Sequence, residues 1–273
     1  MDFENKVIIN VAPIAIACTE IIPEAIAADV LECYKNGAAM VHLHVRRKDG
    51  ALTADTALLE EILKLIRADS DIIIEVSTGG VSNLDIQSRC APIALPLVEV
   101  CTLNVGSTNF EESVYINRLK DVEYCVEELL KHKKIPEVAT FEIGHTHTMI
   151  ELMKKYDFVK PVLFSIVLGH KGAAPATPQA LSLMVSMIPH DAVWGITHSG
   201  RRDMSIFAAA LGMGARTVRV GFEDSDYYDP NIRVTMNAPL VKKVRDFIRS
   251  MDKEVMTPAE ARAFLNIGTV KSS

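Results

Sequence analysis

The sequence lacks the features that mark membrane, nucleic-acid-binding and disulfide-rich proteins. None of its apolar runs approaches the roughly 20 residues that a membrane helix needs. Lys and Arg number 29 against 35 Asp and Glu, and no run of like charges suggests a nucleic-acid or membrane-surface partner. The five cysteines lie singly, with no Cys-x-x-Cys pair, which is typical of reduced thiols in a cytosolic protein. The opening MDFENK is acidic and polar, unlike a signal peptide.

What the 273 residues do contain is a strand-then-helix unit repeated about eight times. The predicted strands are 7–12, 38–45, 71–77, 98–105, 136–143, 161–168, 192–197 and 217–222, and the predicted helices between them are 23–35, 55–68, 82–90, 113–133, 145–156, 177–188 and 202–211. Two more helices are predicted at 237–251 and 258–265, the last opening with an N-cap, a Pro and a Glu at 257–260. The strands are continuous apolar runs, as expected when both faces are buried.

Eight such units in one chain predict a (β/α)8 TIM barrel with additional C-terminal helices, forming a single domain over residues 1–273. The competing interpretation is a doubly wound open sheet. That fold usually needs fewer units, and no Gly-x-Gly-x-x-Gly follows the first strand. In a barrel, catalytic residues lie at the carboxyl ends of the strands, so polar residues there are the candidates.

His42 and His44 lie two residues apart at the end of the second strand. Alternate strand residues point to the same face, so both imidazoles can contact one metal ion from one side. The site then needs an acidic third ligand, for which Glu223 and its neighbour Asp224 compete. Without a metal, His42 and His44 would be ordinary core or surface histidines, and Glu223 would be a solvated loop carboxylate.

Two further groups at strand ends have a chemical and a plainer interpretation. A guanidinium in a barrel strand needs a partner, so Arg219 pairs with Asp224 or with a substrate. Hydroxyls and flexible backbone N–H groups at residues 77–80 (STGG) suit a carboxylate or a phosphate, although Gly pairs also occur in ordinary tight turns.

Several sequence blocks together resemble the β-keto acid cleavage enzymes, which include the 3-keto-5-aminohexanoate cleavage enzymes of lysine fermentation. The blocks are residues 37–46 (GAAMVHLHVR), 76–80 (VSTGG), 102–106 (TLNVG), 136–138 (PEV), 176–178 (ATP), 218–224 (VRVGFED), Asn237 and 257–262 (TPAEAR). They occur in the expected order over nearly the whole chain. The HLH, STGG and VRVGFED blocks are the most specific.

The resemblance implies a zinc-dependent barrel, usually a homotetramer, that converts a β-keto acid and acetyl-CoA into acetoacetate and a shortened acyl-CoA. It implies His42, His44 and Glu223 as metal ligands, and Arg219 with Asp224 as the pair that deprotonates the keto acid. The candidate substrate-contacting residues are Ser77, Thr78, Gly79, Thr102, Asn104 and Ala139. Two His and one carboxylate favour Zn²⁺, although Co, Mn or Fe can occupy such a site.

The sequence also departs from the family pattern. Ala139 stands where members acting on an amino-substituted keto acid tend to carry an acid, and the early segment 13–17 is apolar where they have Gly and an acid. We therefore expect a substrate without the 5-amino group. His170 and His198 lie in loops where family members have Gly-rich turns. Together with Lys171 and Arg201, they are candidates for binding a carboxylate or CoA, or else ordinary loop residues. His145 and His147 are left unassigned.

Two other functions stay open at this stage. One is a metal-dependent carbon–carbon lyase or aldolase on the same barrel that acts without CoA. The other is a non-catalytic metal-containing scaffold or ligand sensor. The set His42, His44, Glu223, Arg219 and Asp224 argues against the second, because a binding module needs no base beside its metal.

Overall fold

The computed structural model describes residues 3–268 and shows strands and helices in alternation. The strands are β1 (Lys6–Val11), β2 (Met40–Leu43), β3 (Ile73–Val76), β4 (Val100–Asn104), β5 (Thr108–Phe110), β6 (Ser113–Tyr115), β7 (Ile135–Thr140), β8 (Leu163–Leu168), β9 (Val193–His198), β10 (Thr217–Val220), β11 (Tyr227–Asp229), β12 (Ile232–Arg233) and β13 (Glu254–Val255). The helices are α1 (Pro23–Lys35), α2 (Ala57–Asp69), α3 (Ile86–Cys90), α4 (Leu119–Lys131), α5 (Ile143–Lys155), α6 (Pro178–Val185), α7 (Ser205–Gly212), α8 (Ala238–Ser250) and α9 (Pro258–Phe264).

Eight parallel strands close into a barrel, which confirms the predicted fold. The order is β10-β9-β8-β7-β4-β3-β2-β1, and β10 pairs back onto β1. The predicted limits of the domain, residues 1 and 273, lie outside the described residues. Among residues 3–268, no helix has both the length and the apolar character needed to cross a membrane.

The strands are buried on both faces because each face packs against a different apolar cluster. Outward side chains such as Ile9, Val41 and Ile74 pack with the surrounding helices. Inward side chains at the start of the strands, such as Met40 and Ile73, form a second cluster inside the barrel. Uninterrupted apolar runs in the sequence are the direct result.

The C-terminal helix closes the amino-terminal end of the barrel. Met256, Ala261 and Leu265 pack against the inner cluster at the start of the strands. The predicted cap is present, because Thr257 Oγ1 accepts from the Glu260 backbone N–H and Glu260 accepts from that of Thr257. With this end filled, the opposite end, where the strands finish, is left for a site.

Some element boundaries differ from the prediction. The predicted helix 113–133 starts only at Leu119, because residues 108–115 form the antiparallel hairpin β5–β6. Tertiary packing overrides helix propensity here, since Phe110 and Tyr115 from the hairpin pack on Phe141. Helix α3 is likewise shorter than predicted: it begins after Asp85, whose side chain accepts from the Ser88 N–H. The small pairs β11–β12 and β1–β13 were not predicted.

Candidate active site

A cavity of about 500 Å³ opens at the carboxyl ends of the barrel strands. Its wall includes most of the residues singled out in the sequence: His42, His44, Ser77, Thr102, Asn104, Ala139, His170, Arg219, Glu223 and Asp224. They come from β2, β4, β7 and β10 and from the segments that follow β2, β3, β8 and β10. The topology therefore gathers residues that are up to 182 positions apart in the chain, from His42 to Asp224.

Three donor atoms converge on one side of this cavity. Nε2 of His42 and Nε2 of His44 are 3.2 Å apart, and they lie 3.6 and 3.3 Å from Oε1 of Glu223. Three ligands held about 2 Å from a tetrahedral zinc are separated by roughly 3.3 Å. Two imidazoles and a carboxylate at this spacing therefore fit a divalent metal such as zinc.

The protonation states of these donors suit metal binding. Burial lowers the pKa of His42 and of His44, which keeps both rings neutral with a lone pair to offer. Burial alone would raise the pKa of Glu223, but its polar surroundings, which include the permanently charged Arg219, outweigh burial and hold the pKa well below its usual range. The site thus offers two neutral nitrogens and one anionic oxygen.

Glu75, on β3, fixes the orientation of the His42 ring. Its Oε1 accepts from Nδ1 of His42 at 2.7 Å, which directs the free Nε2 into the cavity. Glu75 also accepts from Thr102 Oγ1 at 2.9 Å and from Asn10 Nδ2 at 2.6 Å. A carboxylate behind a metal-binding histidine is a recurrent arrangement that raises the basicity of the ligand.

His42, Glu75 and Glu137 form a second group with donor atoms close together. This group suits a metal poorly. Glu75 is already occupied by three side-chain donors, and burial and the adjacent Glu75 carboxyl raise the pKa of Glu137 well above its ordinary range, so Glu137 is neutral. His42, His44 and Glu223 are the better ligand set.

The loop after β10 holds Glu223 and Asp224 against the end of β1. The Glu223 N–H donates to Ala12 O at 3.1 Å. Gly221 makes this approach possible, because it has φ +144° and a Cβ there would lie 2.2 Å from Ala12 O. The fully buried Asn237 completes the anchor by accepting from the Phe222 N–H at 2.9 Å.

Arg219 and Asp224 form a buried two-point ion pair. Nε and Nη2 of Arg219 donate to Oδ2 and Oδ1 of Asp224 at 3.0 and 2.6 Å, and Nη2 also lies 3.3 Å from Glu223 Oε1. Burial by itself would lower the pKa of Arg219, but the two carboxylates raise it well above its usual value. From the sequence, Glu223 and Asp224 were competing candidates for the third metal ligand. In the structure, Glu223 lies beside the two histidines, and Asp224 pairs with Arg219.

The structure separates the predicted substrate contacts into two groups. Ser77, Thr102, Asn104 and Ala139 line the cavity. Thr78 and Gly79 do not: Thr78 Oγ1 donates to Thr102 O at 2.5 Å. Gly79 lies beneath Tyr115, where a Cβ would come within 1.5 Å of the phenol oxygen.

The four loop residues proposed for anion binding are also split. His170 lines the cavity and stacks on Phe110 with ring centroids 4.3 Å apart. Lys171 is exposed and pairs with Glu112 at 2.9 Å, and the buried Arg201 donates to Tyr227 O at 2.6 Å. Neither cation is among the residues that line the cavity, and neither is His198.

The unassigned histidines have ordinary surroundings. His145 Nδ1 accepts from the Phe141 N–H at 3.2 Å, and its ring fills the space above Gly106. His147 is exposed on α5.

Opposite the metal donors the cavity has an apolar wall. Ala139, Phe141 and Val167 pack together with Phe110. Burial lowers the pKa of His170, so the imidazole at its edge is neutral. This wall suits an uncharged substrate group.

Glu75, Glu137 and Ser165 belong to the site but were not singled out in the sequence, and Arg46 was quoted within a family block without a role. Glu75, Glu137 and Ser165 are each visible as a polar residue within an apolar strand. Without the fold, nothing in the sequence alone shows that they face the same interior.

Comparison with known proteins adds an independent finding. The model of the beta-keto acid cleavage enzyme family matches residues 6–267. The 3-keto-5-aminohexanoate cleavage enzyme of Fusobacterium nucleatum is 33% identical over 89% of each chain. The 3,5-dioxohexanoate:acetyl-CoA acetone transferase of Paraburkholderia graminis is 28% identical over 98% of this chain and 97% of its own.

Solved structures agree on the fold. The complex of ObcA with oxaloacetate superposes with a TM-score of 0.82 at 18% identity, over 91% of this chain and 67% of that chain. At this identity the likeness concerns the barrel and carries nothing about the reaction.

Proposed function

Since the chain belongs to the beta-keto acid cleavage enzyme family, we propose that it cleaves a β-keto acid with acetyl-CoA to give acetoacetate and a new acyl-CoA. Its relatives are named as cleavage enzymes or acetyl-CoA-dependent transferases, so the chain is an enzyme of acyl or acetyl transfer.

One observation carries the proposal: two histidines and a glutamate at metal-ligand spacing share one cavity with a carboxylate paired to an arginine. His42, His44 and Glu223 would hold a divalent metal, for which we propose zinc. When bound, that metal would supply Lewis-acid stabilisation of the enolate of the keto acid. Asp224, adjacent to Glu223, would supply the base.

Asp224 removes a proton from the carbon between the keto and carboxylate groups, while Arg219 holds the carboxylate in place. The resulting enolate carbon attacks the acetyl thioester and CoA leaves as the thiolate. The thiolate then adds to the original keto carbon, and a retro-Claisen cleavage expels the enolate of acetoacetate. Asp224 returns its proton to that carbon, so the base is regenerated.

The hydroxyls of Ser77, just after β3, and Thr102, on β4, have different roles in this scheme. Ser77 Oγ accepts from the Gly79 N–H at 3.1 Å, so its own proton is free for a substrate oxygen. Thr102 Oγ1 already donates to Glu75, so it meets the substrate only as an acceptor. Asn104 Nδ2 is buried without a partner among the described residues and can donate into the cavity that Asn104 lines.

We also propose that the substrate lacks a 5-amino group. Ala139 packs with Phe141 and Val167 and offers no charge to an ammonium group. Glu137, on the same strand, is neutral, and so is His170 after β8. Burying an unpaired ammonium against this wall is strongly unfavourable.

A cytosolic homotetramer completes the proposal. All five cysteines are free thiols. Val114, Ile116 and Leu119 are exposed apolar residues on neighbouring segments, as a subunit interface would need, and the tetramer itself rests on the family resemblance. Light scattering coupled to size-exclusion chromatography measures the assembly.

The reaction is tested with zinc-loaded protein and unsubstituted β-keto acids, with and without acetyl-CoA labelled in its acetyl carbonyl carbon. We expect acetoacetate only with acetyl-CoA, and the label at the acetoacetate keto carbon rather than in the new acyl-CoA. Turnover without CoA would identify a lyase, and no turnover across a broad panel with metal bound would favour a ligand sensor. Stripping the metal and restoring Zn, Co, Mn or Fe identifies the ion that supports activity.

The substrate proposal is tested by comparing 3-oxohexanoate with 3-keto-5-aminohexanoate. We expect kcat/KM to favour the unsubstituted acid by roughly 100-fold or more, because the ammonium group has no partner. Equal values for the two would refute this part while leaving the reaction class intact.

A further inference from the structure

Arg46 is a buried cation on the cavity wall that has no anionic partner among residues 3–268. It follows His44 by two residues, is 8% exposed and lines the cavity. Its Nη1 donates to Gly50 O at 2.6 Å, and its buried Nε has no hydrogen-bond partner among residues 3–268. A carbonyl oxygen satisfies one N–H but neutralises no charge.

Arg219, in the same cavity, shows what a paired guanidinium looks like. It contacts two carboxylates, those of Asp224 and Glu223. Within the described part of the chain, Arg46 has no such contact. Because an unpaired buried charge is costly, its retention on a cavity wall indicates that a ligand supplies the missing anion.

The loop that carries Arg46 is folded tightly back on itself. Arg46 forms a β-bridge with Leu52, the Arg47 N–H donates to Ala51 O at 2.8 Å, and the Thr53 N–H donates to Val45 O at 3.2 Å. The guanidinium is thus held in place rather than carried on a free loop.

This loop lies against the loop after β3. Gly80 has φ +129°, which favours glycine, and the Leu52 side chain packs against it, with Cδ1 2.4 Å from where a Cβ would lie. Ser77 and Gly80 line the same cavity as Arg46, and Ser77 has a free proton. The adjoining ends of β2 and β3 therefore present a cation and a hydroxyl donor to a ligand.

We propose that Arg46, together with Ser77, binds the carboxylate of the β-keto acid, an inference that rests on the proposed function. The acetyl end of acetyl-CoA, which must reach the enolate, is uncharged, and the whole pantetheine arm separates it from the CoA phosphates. Arg46 follows His44 by two residues and lines the same cavity as the three metal-ligand candidates. The keto acid alone therefore brings an anion this near to the metal donors.

The test compares Arg46→Gln and Arg46→Lys with Arg47→Gln as matched control. Arg47 is the next residue, but it is exposed and pairs with Asp49. We expect Arg46→Gln to raise the KM for the keto acid roughly 10- to 100-fold and to leave the KM for acetyl-CoA unchanged. Arg46→Lys keeps the charge but loses the planar fork, so the rise is smaller; Arg47→Gln has no effect.

A second readout is independent of turnover. Calorimetric titration of the zinc-loaded protein with acetoacetate should show weaker binding to Arg46→Gln by a similar factor. If Arg46→Gln fails to fold, Arg46→Lys alone carries both measurements. A rise in the KM for acetyl-CoA instead would indicate that Arg46 binds CoA and would overturn the proposal. Unchanged KM values for both substrates, or a loss confined to kcat, would also overturn it.

The two proposals fail differently. If wild type forms no acetoacetate from any keto acid, the proposed reaction is wrong, and the titration still tests the anion site. If wild type is active and both variants bind acetoacetate like wild type, the role of Arg46 is wrong.

Discussion

Replacing Asp224 with Asn tests the proposed base directly. The carboxylate is 5% exposed and receives two hydrogen bonds from Arg219, at 3.0 and 2.6 Å. Asn has the same shape, and its oxygen can still accept from Arg219. The substitution therefore removes the charge and the basic oxygen while disturbing the packing little.

The structure allows the expected changes in proton-transfer rate, stability and zinc affinity to be estimated. A positioned general base contributes about 10²- to 10⁴-fold to a rate, so proton removal should slow by that factor. Breaking a buried ion pair usually costs about 3–5 kcal/mol because a charge is left alone. Here Arg219 keeps Glu223 at 3.3 Å, so the free energy of unfolding should fall by only about 1–2 kcal/mol. Zinc affinity should hold, because His42, His44 and Glu223 are unchanged.

The assay is exchange of the C2 protons of acetoacetate in D2O, followed by NMR without acetyl-CoA. Zinc-loaded wild type should exchange them above background and Asp224→Asn should not. The matched control is Asp226→Asn, two residues away in the same acidic stretch, where the carboxylate pairs with the exposed Arg233 at 2.9 Å. Wild-type exchange in zinc-loaded Asp224→Asn would refute the assignment of the base.

Three further changes have defined outcomes. Glu75→Gln should weaken zinc binding by roughly 10- to 100-fold in a chelator competition, because Glu75 orients His42, and unchanged affinity would contradict that role. Burial, and then Glu75, raise the pKa of Glu137 above its ordinary 4.5, so the folded state keeps a proton that the unfolded chain releases. Wild-type stability is therefore complete below pH 4.5 and falls as the pH rises toward the raised pKa. The Glu137→Gln variant has no ionisable group at this position, so its Tm should exceed that of wild type at about pH 8 but not at about pH 4. An equal difference in Tm at both pH values would refute the direction of the pKa shift. Thr257→Ala should lower the free energy of unfolding by about 1 kcal/mol in a denaturant titration, because it removes the side chain that caps the N-terminus of α9. An unchanged free energy of unfolding would mean that this cap contributes nothing to stability.

The barrel was predictable because its sequence signals are local and repeated. A strand buried on both faces requires an apolar run, and a helix packed on one side requires apolar residues every three or four positions. The hairpin β5–β6 was not predictable in this way. Its position depends on Phe110 and Tyr115 meeting Phe141, a contact between distant segments.

The convergence of His42 and His44 on one face was predictable for a similar reason. Two histidines at alternate positions of a strand must share a face, whatever the surrounding fold. The roles of Glu223 and Asp224 were not separable from residue order, because adjacent loop residues have no fixed direction. Their directions follow from Gly221 and Asn237, which turn the loop against Ala12.

The polar layer around Glu75 could have been predicted from the alternation of side chains along the strands. In six strands an inward apolar residue is followed two positions later by a polar one: Ile8 and Asn10, Met40 and His42, Ile73 and Glu75, Val100 and Thr102, Ile135 and Glu137, Leu163 and Ser165. Alternation places each pair on the same face, so six strands together define an apolar layer and then a polar one. Three of the polar side chains donate to Glu75, which makes this carboxylate the point that ties the layer together. A single glutamate in an apolar strand is uninformative, but the same step from apolar to polar in six successive barrel strands locates the floor of the active site.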